Sequence, residues 1–310
     1  LENKKPFISI VAPCYNEEDT IDIFLERLST VLNRLNKSYE IVFVNDGSRD
    51  NTLEILKQKA KDIDEVRVIN LSRNFGKEAA LSAGLDRAFG EVVVPIDVDL
   101  QDPPELILDF LKRYEEGYDV VVGKRVDRIT DTIPKRVSAD LFYKLHNQIS
   151  DIKIPHHVGD YRLMSRKVVE ELKRMPENQR FMKGLFAWLG FKTAVVEYKR
   201  EARIGGKTKF NGWKLWNFAL DGITSFSTIP LRIWLYMGII IATISFFYGG
   251  WITIKTLIFG VDVPGYASMI TAILFLSGIQ LIGIGVLGEY IGRIYLEAKR
   301  RPIYIIEDEY

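Results

Sequence analysis

"EVVVPIDVDLQDPPE", Glu91 to Glu105, is the stretch that decides the fold. It begins as an apolar run of the kind that fills a buried strand. It then turns acidic, with Asp97, Asp99, Asp102 and Glu105 in quick succession. Toward the N-terminus the same strand-then-polar-turn pattern recurs. "FISIVA" (Phe7 to Ala12), "YEIVFVN" (Tyr39 to Asn45) and "VRVINLS" (Val66 to Ser72) read as short strands. Between them lie segments with helical spacing. In Glu17 to Leu35 the apolar positions are Ile21, Phe24, Leu25, Leu28, Val31, Leu32 and Leu35. "LEILKQKAK", with Asp50 or Asn51 as its cap, and "GKEAALSAGLDRAF" read as two more helices. On the C-terminal side, "PPELILDFLKRYEEG" is a helix opened by Asp102, Pro103 and Pro104, and "YDVVVGKR" is a further strand. This β-α alternation predicts an α/β domain with a Rossmann-like, mainly parallel sheet and helices on both faces.

Ligands of such sheets bind beyond the carboxyl ends of the strands. The segments "PCYNEE", "NDGSRD", "SRNFGK" and "DVDLQD" all fall there. A dinucleotide-binding dehydrogenase shares the alternation, but the first turn, "APCYNEE", has no G-x-G-x-x-G to admit a pyrophosphate. Net charge over the 310 residues is +1, which gives no global field for nucleic acid. The single cysteine, Cys14, excludes an intrachain disulfide framework and a cysteine-rich zinc site. Nothing beside it in sequence would activate it, so it reads as a packing thiol. His146, His156 and His157 read as polar surface. The opening residues, "LENKKPFISI", lack the apolar core and cleavage site of a signal peptide.

The second half of the chain changes character. Residues 233–254 and 263–288 carry no charge. A helix needs about 20 apolar residues to cross a bilayer, so both runs predict membrane spans, at 231–259 and 264–292. Two buried core helices are the alternative. The short connection makes a hairpin. Arg232, Arg293, Lys299, Arg300 and Arg301 lie outside it and only Asp262 in the loop. The positive-inside rule then places residues 1–210 and the tail, 293–310, in the cytoplasm. Residues 211–230, with Trp213, Trp216, Leu220 and Ile223 at helical spacing, read as an amphipathic helix at the membrane interface, or packed on the soluble domain. Gly278, Gly283, Gly285, Gly288 and Gly292 point to close helix packing and a homo-oligomer, or are ordinary membrane-helix glycines. "RRPIYIIEDEY" reads as a strand offered to a neighbouring subunit, or as a frayed end.

Asp97 and Asp99, two apart on an extended strand end, would point the same way. Two close carboxylates repel unless a cation sits between them. Oxygen donors suit Mg²⁺ or Mn²⁺, and such an ion keeps positions for phosphate oxygens.

Together, "IVAPCYNEEDTI", "IVFVNDGSRDNT", "LSRNFGKEAAL" and "DVDLQDPPE" resemble the family 2 glycosyltransferases with a GT-A fold. More narrowly they are similar to the polyprenyl-phosphate glycosyltransferases, a likeness that extends through "GDYRLMSRKV", "RIGGKTKFN" and the hairpin. Val98 stands where the commoner spelling of the family has alanine, a spacer with no ligand atom. The resemblance implies inverting transfer of a sugar from a nucleotide to the phosphate of a prenyl lipid at a bilayer. It implies that Pro13, Tyr15 and Glu17 line the base and ribose pocket. Asp46 would accept hydrogen bonds from base or ribose, and Gly76 and Lys77 would lie by the nucleotide. Asp97 and Val98 would border the ribose and diphosphate, Asp97 reaching the metal through water. Asp99 and Gln101 would ligate that metal.

Phosphates are best held by arginine. Arg125, Arg136 and Arg203 match the acceptor-phosphate positions of the family, with Ser138 assisting. A phosphate monoester is largely deprotonated at neutral pH, so Asp160, which the family offers as base, reads rather as orienting the acceptor or the sugar, with Arg162 beside it. The hairpin is most similar to the bacterial glucosyltransferase branch, which implies UDP-glucose and undecaprenyl phosphate. Formyl-aminoarabinose and GDP-linked mannose stay open. A processive polysaccharide synthase would need further spans, and "NQRFMKG" is only a faint echo of its acceptor motif. A non-enzymatic membrane scaffold should have lost the ligands present here.

Overall fold

A computed structural model describes residues 5–126, 158–175, 177–178, 180, 182–199, 201, 229–260 and 265–310. Arg136, Ser138, Arg203, the three histidines and nearly all of the expected amphipathic helix lie outside these residues. The strands are β1 (Ile8–Cys14), β2 (Tyr39–Asn45), β3 (Val66–Leu71), β4 (Val92–Pro95), β5 (Val120–Arg125), β6 (Val158–Ser165), β7 (Thr193–Tyr198) and β8 (Ile306–Glu309). The helices are α1 (Ile21–Asn33), α2 (Thr52–Asp62), α3 (Lys77–Arg87), α4 (Leu106–Glu115), α5 (Arg166–Lys173), α6 (Met182–Trp188), α7 (Ile229–Phe259) and α8 (Tyr266–Ala298).

The strands form one eight-stranded sheet in the order β7-β5-β6-β4-β1-β2-β3-β8. β1 pairs in parallel with β2 and β4, β2 with β3, and β5 with β7. The expected parallel core is therefore present, but the sheet is mixed. β6 runs antiparallel between β4 and β5. That insertion carries residues 158–165 to the end of the sheet where β4 delivers its acidic turn.

The helical spacing of α1 is the spacing of its buried residues, Ile21, Phe24, Leu25, Leu28, Val31 and Leu32. It starts at Ile21 rather than Glu17, because Thr20 closes a turn by donating its N–H to the Glu17 carbonyl. α3 is built from small residues and lies close on β1 and β2. A Cβ on Gly84 would stand 2.3 Å from Val11 Cγ1. Phe24, Phe43, Phe110 and Tyr161 are fully buried in the main core, and the Phe110 and Tyr161 rings meet in a tilted contact with centroids 5.0 Å apart.

α7 and α8 are each long and apolar enough to cross a bilayer, with candidate spans Tyr236–Phe259 and Phe275–Ala298. Their large side chains are exposed: Phe246, Leu257 and Phe259 at 78%, 81% and 80%. Apolar area of that size costs about 25 cal/mol per Å² in water, which a lipid surround removes. Among the described glycines of α8, Gly283 meets a neighbour: its Cβ would lie 3.0 Å from the Trp234 ring of α7.

The tail corrects the expectation of a strand for a neighbouring subunit. β8 adds antiparallel to β3 of its own chain, with Ile69 opposite Glu309 and Asn70 opposite Asp308. Val68 and Tyr310 exchange N–H···O bonds of 2.8 Å, and Ser72 N–H donates to the Ile305 carbonyl. Arg87 Nε holds Glu309 at 2.7 Å and the Tyr304 hydroxyl donates to Asp86 at 2.6 Å. Removing residues 303–310 should expose the β3 edge. Hydrogen exchange should then speed up by at least about tenfold at the Val68 and Ser72 amides, with little change in β4; unchanged protection at both amides would contradict the pairing.

Candidate active site

The chemistry collects where the carboxyl ends of β1, β2, β3 and β4 meet β6. The Lys77 ammonium, in the first turn of α3, lies 2.7 Å from Asp97 and 3.2 Å from Asp160. Asp97, on the turn after β4, and Asp160, on β6, thus share the Lys77 ammonium. β4 ends at Pro95, so Asp97 and Asp99 sit on a turn and not on an extended strand. At the centre of that turn Leu100 has φ +56°. This is costly backbone for a non-glycine residue, of order 1–3 kcal/mol, and the buried Leu100 side chain anchors it. Asp99 is consequently tucked in, 5% exposed, and accepts the Gln101 N–H at 3.1 Å. Gln101 accepts the Glu201 N–H through its carbonyl.

Asp46 is tied to the neighbouring loop. Its carboxylate accepts the N–H groups of Phe75 and Gly76 at 2.7 and 2.9 Å, and its carbonyl accepts from Asn74. It shapes the loop that leads into α3. Gly76, at φ +98°, is the residue type this turn demands. Gly47 lets the two loops touch, since a Cβ there would lie 2.4 Å from the Arg73 carbonyl carbon.

Pro13, Lys77, Asp97, Asp102, Asp160 and Tyr161 line a small cavity at the centre of this group. A larger cleft of about 370 Å³ opens beside it, lined by Asn16, Glu17, Thr20, Arg49 and Asp50. Its walls are tied together. Asn16 N–H donates to Ser48, Glu17 N–H to Thr52, and Arg49 N–H to the Asn16 side chain. Glu17 accepts from the Thr20 hydroxyl at 3.2 Å. Asp50, one residue before the N-cap Asn51, accepts the Thr52 N–H in an Asx-type turn, and Asn51 makes no side-chain cap bond. Tyr15 is half-buried between cavity and cleft in sequence, Val98 is buried, and Cys14 is buried with its thiol pushed up by burial, which fits packing.

Burial raises the Asp160 carboxyl, but the charges of Lys77, Lys183 and Arg162 outweigh it and hold Asp160 well below the ordinary carboxylate range. Asp160 is thus ionised at neutral pH and a weak base. Burial lowers Arg162 to about 10; it lies over the Phe186 ring at 3.7 Å and donates to the Gly159 carbonyl. Glu78 was not anticipated. Burial, and then the Asp160 charge, raise its carboxyl to about 8 against Lys77 and Lys183. Glu78 Oε2 and Asp160 Oδ1 are both buried without a hydrogen-bond partner among the described residues.

Asp102 is not the cap of α4. That helix starts at Leu106, after Glu105, which makes no side-chain cap bond. Asp102 instead turns inward to Tyr198 and Arg125. Asp97, Asp99 and Gln101 offer oxygen donors on one tight turn, a donor set that fits a hard divalent cation. No group of three His, Cys, Asp or Glu side chains among the described residues makes a metal cage alone.

Comparison with known proteins identifies the family. Glycosyl transferase family 2 matches residues 9–173, and the GtrB C-terminal hairpin matches residues 229–294. The chain belongs to glycosyl transferase family 2. It is 55% identical to a prophage bactoprenol glucosyl transferase homolog of Escherichia coli K12, over 97% of this chain and 98% of that one. The bactoprenol glucosyl transferase of Shigella phage SfV is also 55% identical, with the same coverage. An uncharacterised glycosyltransferase of Synechocystis is 53% identical over 97% of this chain and 95% of its own length.

A carboxyl whose folded-state value is raised contributes stability below its ordinary value, 4.5 for Glu78, and loses it as pH rises through about 8. Glu78→Gln, which cannot ionise, should therefore melt above the wild type at about pH 9 and show no such advantage at about pH 5. An equal difference at both pH values would refute the buried, protonated carboxyl.

Proposed function

We propose that the protein is an inverting, metal-dependent transferase that moves glucose from UDP-glucose to undecaprenyl phosphate, giving a lipid-phosphate-linked sugar. The observation that carries this reading is the 55% identity to bactoprenol glucosyl transferases, which runs through the catalytic sheet and the hairpin alike. In this reaction an acceptor phosphate oxygen attacks the anomeric carbon from the face opposite UDP. The new C–O bond forms as the bond to the diphosphate breaks, with the electron pair leaving on UDP.

The nucleotide lies in the cleft beside Pro13, Tyr15, Glu17 and Asp46, with Val98 and Asp97 at the ribose and diphosphate. Asp99 and Gln101 would hold Mg²⁺ or Mn²⁺, with Asp97 beside them. When bound, the metal neutralises charge on the leaving diphosphate. Lys77, already charged and placed between Asp97 and Asp160, adds a second cation on the same side. Asp160 is too weak a base to be needed, and the acceptor oxygen carries no proton to remove at neutral pH. Its carboxylate instead orients the transferred sugar or the acceptor, and its unpaired buried oxygen is the atom available for this. Arg125, Arg136, Ser138 and Arg203 receive the acceptor phosphate.

α7 and α8 form the bilayer hairpin, with the catalytic domain and both flanking segments on the cytoplasmic side, as the flanking Lys and Arg residues favour. The glycines of α8 would also suit close contact between copies of the chain in a homo-oligomer.

Full-length protein in detergent should transfer labelled glucose from UDP-glucose to undecaprenyl phosphate, one sugar per lipid. Chelation should abolish transfer and added Mg²⁺ or Mn²⁺ restore it. Asp99→Ala should lower the rate by on the order of 100-fold. Label in long polymer, or turnover by Asp99→Ala at the wild-type rate, would defeat the proposal. Transfer from GDP-mannose alone would replace the sugar.

A further inference from the structure

Arg125, at the end of β5, is already gripped along one edge. Its Nε donates to the Tyr198 hydroxyl at 3.2 Å, and its Nη2 lies 3.6 Å from Asp102 Oδ2. The Tyr198 hydroxyl donates in turn to Asp102 Oδ1. The Asp102 side chain is only 3% exposed while Arg125 keeps 29%. Arg125 Nη1 makes no hydrogen bond or ion pair among the described residues.

The seat is shaped for these groups. A Cβ on Gly123 would lie 2.9 Å from Tyr198 Cε1, and one on Gly159 would lie 3.1 Å from Arg125 Nη2. The Tyr161 ring stands edge-on to Tyr198 at 6.1 Å, and its hydroxyl donates to the Pro103 carbonyl at 2.8 Å, fixing the turn that carries Asp102. A buried carboxylate is a costly way to fill space. It does, however, fix a guanidinium whose long side chain otherwise loses rotamer freedom on binding.

We propose that Asp102 and Tyr198 are positioning residues that preset the Arg125 guanidinium, so that its Nη1 edge meets the phosphate oxygens of the acceptor. This rests on the reading of Arg125 as an acceptor-phosphate ligand. Asp102 and Tyr198 act through Arg125, which both contact.

The test uses the full-length protein in detergent, with undecaprenyl phosphate and UDP-glucose varied separately. Tyr198→Phe and Asp102→Asn should each raise KM for the lipid phosphate by about fivefold or more. They should leave KM for UDP-glucose within about twofold. In an Arg125→Ala background, Tyr198→Phe should add nothing further, because the group it positions is gone. Equal changes in both KM values, or a full additional rise in that background, would overturn the proposal by assigning the pair a general structural role. If Arg125→Ala raises the lipid KM and Tyr198→Phe does not, the positioning role fails and the phosphate reading stands. If Arg125→Ala leaves the lipid KM unchanged, both fail. Thermal stabilisation by undecaprenyl phosphate without donor should rank the variants the same way, and it holds whichever sugar nucleotide is the donor. Should Asp102→Asn not fold, Tyr198→Phe decides, since it keeps the ring in its seat.

Discussion

The ammonium of Lys77 is the interaction on which the rest of the site depends. It lies between Asp97, at the end of β4, and Asp160, on the antiparallel strand β6. Opposite charges about 4 Å apart attract by roughly 4 kcal/mol at an effective dielectric of 20, less where solvent screens them. That attraction lets a buried carboxylate on β6 remain ionised beside a turn that is itself acidic. The position of Lys77 is not adjustable. It opens α3, which small residues hold close to β1, and it follows a loop whose amides are clamped by Asp46. Sheet order, helix packing and charge balance therefore converge on one side chain.

The parts of the fold built from local periodicity were legible in the sequence. β1 to β5 and α1 to α4 appear close to where apolar spacing places them, and the acidic turn lies at the mouth of the sheet as expected. β6 was not legible, because almost every residue in it is buried. A fully buried strand shows no alternation, and Asp160 and Arg162 make it look polar. Distant pairings were equally hidden. "DGS" reads as a turn, while the carboxylate of Asp46 serves amides 29 and 30 residues onward. Asp102, followed by two prolines, has the local look of a helix cap, yet its partner Tyr198 is 96 residues away. Its burial is a tertiary fact with no local signature. The alternation of the tail revealed a strand but not which edge it would join.

The two ends of the hairpin are treated differently. α7 begins at Ile229, after residues 202–228, which lie outside the described residues. α8 leaves its apolar stretch and is caught at once: Glu297 accepts the backbone and side-chain N–H groups of Asn178, in the connection between α5 and α6. Beyond it, Tyr304 and β8 bind to α3 and β3. The catalytic domain thus grips the far end of its own membrane anchor, which limits how freely the site can turn relative to the bilayer surface where a lipid phosphate would arrive.

The same closure orders the making of the protein. β8 is encoded after both apolar helices, so a ribosome must deliver the whole hairpin before the strand that borders β3 exists. Until then the sheet carries an open edge, the kind of surface that recruits wrong partners. Synthesis of both apolar helices therefore precedes completion of the sheet.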